Sequence, residues 1–109
     1  TNHYSPTESR EKVTNFVKLY GETYKNDKGQ PKTPDALAAL AYDATNILLE
    51  GIKNAGVDDA TKVAETVAAG KFEAVSGSIT FDAFHTPIKP VTIIQVKDGK
   101  VTFNSQVMP

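Results

Sequence analysis

Two short stretches hold side chains of the types that do chemistry. Asp82 and His85 stand three residues apart in FDAFH, a carboxylate and an imidazole that could form an acid/base pair or half of a metal site. Two ligands do not complete a site, and no other His lies nearby in the chain, so His85 reads as a turn residue. Asp58 and Asp59 are neighbouring acids suited to a cation. They also stand just ahead of an apolar-periodic stretch, where acids cap a helix and favour the positive end of its dipole. Phe16, Tyr20 and Tyr24 could stack a ligand, but their helical spacing is the pattern of packing residues. The sequence contains no Gly-rich phosphate loop, no nucleophile elbow and no metal-ligand spacing. With no cysteine there is no disulfide, thiolate nucleophile or thiolate metal site. The expectation is therefore a protein that is not an enzyme, with no catalytic residue, no metal site and no cofactor.

Length and composition set further bounds. The 109 residues are 39% hydrophobic and 23% charged, the balance of one soluble globular domain. The formal charge of −1, with the lysines scattered, leaves no electrostatic footprint for nucleic acid or an anionic membrane. No apolar run approaches the roughly 20 residues of a membrane span. The chain starts at Thr1 with no initiator Met and no signal peptide, which implies that whatever preceded Thr1 was removed.

The elements that must position these residues follow from periodicity. Residues 33 to 56, TPDALAALAYDATNILLEGIKNAG, are the centre of the chain. Thr33 suits the cap, Pro34 the first helical position and Asp35 the positive end of the dipole. Leu37, Leu40, Ala41, Ala44, Ile47, Leu48 and Ile52 then form one apolar stripe, and Gly56 is placed for a left-handed stop. From Ala36 to Tyr42 no residue is polar, so this end of the helix requires enclosure from several sides.

Upstream, Ser5, Pro6 and Glu8 spell a capping box, followed by an apolar face of Val13, Phe16, Val17, Tyr20 and Tyr24. The polar cluster at 26 to 32 predicts a loop. Downstream, Asp58 or Asp59 caps a short third helix that buries Ala60, Val63, Ala64 and Val67 and stops at Gly70. Helices are thus predicted over about 6–25, 34–55 and 59–69. From Lys71 the period changes to two, predicting strands over about 78–82, 91–97 and 100–104, the last two joined by an Asp98-Gly99 hairpin turn. After the FD pair the chain reads Ala83-Phe84-His85-Thr86 without glycine, so His85 or a neighbour must adopt positive φ, or Phe84 must be buried. Three helices followed by an antiparallel ribbon too small to cover them suggest part of a larger layered α/β domain.

The residues also carry a resemblance. Asn2-His3-Tyr4-Ser5-Pro6, Phe16-Val17, Tyr20, Ala39-Leu40-Ala41-Tyr42-Asp43-Ala44, Lys71-Phe72-Glu73, Gly77, Ile79-Thr80-Phe81-Asp82, Pro87, Lys89-Pro90 and Val96 to Lys100 occur in an order and spacing that matter together. They resemble the C-terminal part, roughly the last third, of the type I periplasmic substrate-binding proteins of branched-chain amino acid ABC transporters. The resemblance implies an α/β fold in which this chain is a partial lobe of a two-lobed protein that closes on a small ligand by hinge motion.

It further implies a small amino acid as ligand and an ABC permease as partner. The expected location is periplasmic or extracytoplasmic, whether the parent is free or a lipoprotein. His3 and Tyr4 match a crossover between lobes and are hinge candidates. Leu37 matches a position where some relatives set an aromatic side chain against the ligand, and is the ligand-binding candidate. Most of the pocket would come from segments not contained here, so this chain alone is expected to bind no ligand and to form a homo-oligomer that covers the apolar helix. The alternative is a self-standing structural or interaction module that forms a homo-oligomer.

Overall fold

A computed structural model describes all of residues 1–109. Its order is α1 (Glu11–Thr23), α2 (Ala36–Ala55), α3 (Ala60–Ala69), β1 (Phe72–Ala74), β2 (Gly77–Phe81), β3 (Pro87–Ile88), β4 (Val91–Lys97) and β5 (Lys100–Val107). Strands β1, β2 and β3 form one antiparallel sheet in that order, and β4 and β5 form a separate antiparallel ribbon. This is the α/β arrangement of three helices followed by strands, with β1 and β3 as short additions on either side of β2.

The first helix starts five residues later than the capping box predicts. Glu8 does not reach back to a free backbone N–H, because its carboxylate is taken by the Arg10 guanidinium. Ser5 Oγ accepts weakly from the Thr7 N–H at 3.4 Å, and the Glu8 N–H closes a turn onto the Ser5 carbonyl. The helix then starts at Glu11 with no side-chain cap and ends at Thr23, where Tyr24 turns extended. In α2 the cap is Asp35 rather than Thr33. Its carboxylate accepts from the Ala38 N–H at 2.8 Å, and Gly56 ends the helix at φ 68°. Asp59 caps α3 in the same way through the Lys62 N–H. Gly70 is extended rather than left-handed, and its lack of a Cβ admits the Phe72 ring against its backbone. The ribbon turns at Asp98 and Gly99, both at positive φ, and runs on to Val107 rather than stopping at Asn104.

The core is small and sits at one end. Tyr4, Val13, Phe16, Ala39 and Val75 form its buried cluster, with Val17, Tyr20 and Ala38 packed beside it. Tyr4 meets Phe16 edge-on at 6.0 Å between ring centres, and Phe16 lies 4.8 Å from Tyr42. Tyr24, expected on this face, is exposed and stacks on Tyr20 instead.

Elsewhere the chain is open. Only 18 of 109 residues are buried, and the radius of gyration is 15.8 Å, where a compact domain of this length has about 13 Å. The stripe predicted as the buried face of α2 is not buried within the chain. The residues that α2 buries are Ala39, Asp43 and Gly51, while Leu37, Ala41, Ala44, Leu48 and Ile52 are exposed. No residue of α3 is buried. Its contact with α2 is made at Gly51, where any Cβ would run into the Val67 side chain.

Candidate functional site

The turn at Val75 and Ser76 is where the fold is tied together. Asp43, on the inward side of α2, accepts from the Val75 N–H through Oδ1 at 2.8 Å and from the Ser76 N–H through Oδ2 at 2.9 Å. From the other side Arg10 donates to the Ala74 carbonyl at 3.1 Å and the Val75 carbonyl at 2.8 Å, while Glu8 holds its guanidinium in place. Both ends of these peptide units are thereby satisfied by charged side chains, the strong class of hydrogen bond. This clamp was not among the sequence candidates. Its visible signal is Asp43 itself, a lone carboxylate set into an otherwise apolar stretch of helix.

A second junction joins the amino-terminal segment to the ribbon. Asn2 pairs with Thr92 by two backbone hydrogen bonds of 2.8 and 3.0 Å. His3 Nδ1 lies 3.1 Å from Lys89 Nζ, and Thr92 Oγ1 donates to the His3 carbonyl at 3.5 Å. Burial pushes the Lys89 ammonium below the usual lysine range, with the Asp43 carboxylate opposing that shift. Tyr4 leaves the junction and enters the core, where its hydroxyl donates to the Pro34 carbonyl. Burial, reinforced by the charges of Asp35 and Tyr20, pushes the Tyr4 phenol up to about 12, so it remains a donor at neutral pH. At the far side of the junction Thr7 Oγ1 accepts from the Phe103 N–H at 2.7 Å, and Gly77 leaves room for the Pro90 ring.

The structure thus brings His3 and Tyr4 together at one crossing and ties Tyr4 to the loop that opens α2. Leu37 is the second residue of that helix and is 74% exposed, with no wall facing it. Asp82 and His85 do not form an acid/base pair. Asp82 Oδ1 accepts from the Phe84 and Thr86 N–H groups at 2.8 Å each, and His85 takes the strained position at φ 61°. Phe84 is left 88% exposed at the tip. No group of three or more His, Asp or Glu side chains is disposed around a metal position. No helix is long and apolar enough to cross a membrane.

Two of the grooves along α2 contrast in lining. One, between α1, α2 and β1, has a volume of about 840 Å³ and carries Glu11, Lys12, Glu50 and Lys53. The other, about 470 Å³, lies between the leucine side of α2 and strands β2 and β3, with Lys89 and His3 at its rim.

Comparison with known proteins gives this arrangement its context. The leucine-, isoleucine-, valine-, threonine- and alanine-binding protein of Pseudomonas aeruginosa is 38% identical over 56 residues, a match covering 50% of this chain and 15% of that protein. A leucine-binding protein from Thermotoga maritima is 38% identical and superposes with a TM-score of 0.77, covering 99% of this chain and 30% of that one. A solute-binding protein of an ABC transporter from R. palustris, in complex with benzoate, is 27% identical with a TM-score of 0.77, covering 98% of this chain and 29% of its own. The chain therefore spans under a third of the length of the solved structures it matches. The family model described as "Periplasmic binding protein" matches residues 1–100, and the chain belongs to that family.

Proposed function

We propose that this chain supplies one part of a solute-binding protein that recognises a branched-chain or related small amino acid outside the cytoplasmic membrane for an ABC permease. The observation that carries the reading is the match of nearly the whole chain to the family, with amino acid-binding relatives at 38% identity.

The geometry supports a division of roles. The amino-terminal segment and the strand that opens the ribbon pass side by side at the Asn2–Thr92 pairing, which in this reading is where the lobes cross. His3 and Tyr4 are the hinge residues in this reading. Leu37, exposed at the start of α2, meets the ligand once a second wall faces it. By itself the chain encloses no such pocket and binds no amino acid.

The test is a chimera in which this chain replaces the matched 30% of the Thermotoga protein. Calorimetric titration with leucine, isoleucine and valine is expected to show binding that weakens severalfold in Leu37→Ala. A chimera that folds and binds benzoate but none of these acids overturns the amino acid assignment.

A second reading, a self-standing module that covers its apolar helix by homo-oligomerisation, is favoured by the exposed leucine side of α2. Light scattering and calorimetry on the chain alone test the second reading: a monomer overturns it, and a monomer with micromolar amino acid affinity overturns both.

A further inference from the structure

His3 and Lys89 stand 86 positions apart in the chain and meet where the amino-terminal segment crosses the residues ahead of β4. Other lysines with a partner use an oxygen: Lys25 the Gly21 carbonyl, Lys18 the Glu22 carboxylate and Lys62 the Glu65 carboxylate. Lys89 Nζ instead lies 3.1 Å from a nitrogen, His3 Nδ1. An ammonium has three donors and no acceptor, so this contact requires the neutral imidazole with its proton on Nε2 and its lone pair on Nδ1. A second proton on His3 removes the acceptor and sets two cations at hydrogen-bond distance.

Nothing else at the crossing can absorb that charge. The titratable groups lining the 470 Å³ groove are His3, Lys89 and Asp43 of α2. Both Asp43 oxygens are already taken by the Val75 and Ser76 N–H groups, and neither His3 nor Lys89 is ion-paired. On the amino-terminal segment itself the charges are the Thr1 amino group, of the same sign, and Glu8, which is held by Arg10. The ribbon meets the crossing through Thr92 and Gln106, both uncharged. Burial already disfavours the Lys89 ammonium, with Asp43 opposing, so the site is poorly suited to a further cation.

We infer that His3 and Lys89 form an acid-opened clasp on this crossing: neutral His3 holds Lys89 and draws the two segments together, and a proton on His3 parts them. The clasp stands on the geometry of this chain, and its bearing on lobe closure rests on the reading of His3 as a hinge residue. Its contribution is present above the range in which imidazole titrates and is lost as the pH falls through that range. The Asn2–Thr92 backbone bonds and the Thr7–Phe103 bond remain, so the crossing loosens without unfolding.

The experiment is amide exchange of the full chain, followed by NMR between pH 7 and pH 5.5. This window lies above the ordinary carboxylate range and below the ordinary amine range, which leaves imidazole as the class of group that titrates. The Asn2 and Thr92 N–H groups report on the crossing, each normalised to its intrinsic rate, with the amides of α2 as reference. Protection at both is expected to fall about two- to fivefold relative to α2, the effect of a partly exposed charge pair. His3→Gln, whose side-chain oxygen accepts without titrating, should keep protection flat across the window. Lys89→Met, which retains the apolar stem, should also abolish the fall. His85→Gln, which changes the chain's other histidine, should leave the fall unchanged. The inference is overturned by constant protection in the unaltered chain, by an equal fall in α2, or by a fall that persists in His3→Gln or Lys89→Met. In the Thermotoga chimera, a leucine affinity that drops over the same window and is flat in His3→Gln supports the clasp at the hinge. A crossing that loosens in this chain while the chimera's affinity stays constant supports the clasp and counts against the hinge reading alone.

Discussion

The two sides of α2 are built on opposite plans. The side facing the Val75–Ser76 turn is made of Ala39 and Asp43, a small residue and a carboxylate, and it is buried. The other side carries Leu37, Leu48 and Ile52, and it is exposed. Hydrophobic residues thus lie outside and a charged one inside, the reverse of an isolated domain. The difference teaches that burial within the chain is decided by close backbone approach and by satisfied polar groups. The apolar side has no layer of this chain packed over it.

The comparison is broken most strongly by removing the carboxylate. Asp43→Ala leaves the buried Val75 and Ser76 N–H groups without acceptors, and is expected to cost about 2–6 kcal/mol, two unmet donors at about 1–3 kcal/mol each. Chemical denaturation measures it, and a loss below that of an ordinary surface change would show that the clamp is not what holds the turn. Gly51→Leu comes next, because any Cβ there meets Val67. Overpacking at the α2–α3 contact should cost about 1–3 kcal/mol and appear as a lower denaturation midpoint.

Tyr4→Phe removes the hydroxyl bond to the Pro34 carbonyl and should cost about 1 kcal/mol. The pH dependence has a definite sign. Because the folded phenol is raised from 10.0 to about 12, the stability it contributes is fully present below pH 10 and is lost as the pH climbs toward 12. Tyr4→Phe should flatten that part of a stability profile taken by denaturation at each pH. The smallest effect is expected on the leucine side. Leu48→Glu should change the stability of the monomer by no more than about 0.5 kcal/mol, since the side chain is 51% exposed and leaves nothing unpaired. A loss of several kcal/mol would mean that the face is covered within the chain after all.

Much of the local structure was legible because it rests on short-range chemistry. Asp59 and Gly56 terminate helices as their types demand, Asp98-Gly99 turns the ribbon, and the missing glycine after Phe81-Asp82 leaves His85 at positive φ. The capping box at Ser5 to Glu8 misled, because a stronger partner, Arg10, competes for the same carboxylate. His3 and Tyr4 were named as hinge candidates only through resemblance. The Arg10–Asp43 clamp was not reached at all, since contacts between residues 32 to 65 positions apart leave no local pattern.

The sequence by itself determined the three helices, the change from a period of 3.6 to a period of two, the hairpin turn and the family, all properties of neighbours in the chain or of motif order. Only the tertiary structure decided which face of α2 is inside. Periodicity marks where apolar side chains lie on a helix, but not which surface approaches closely enough to cover them. Asp43 turns inward because two backbone N–H groups meet it there, and the leucines turn outward because no layer of this chain reaches them.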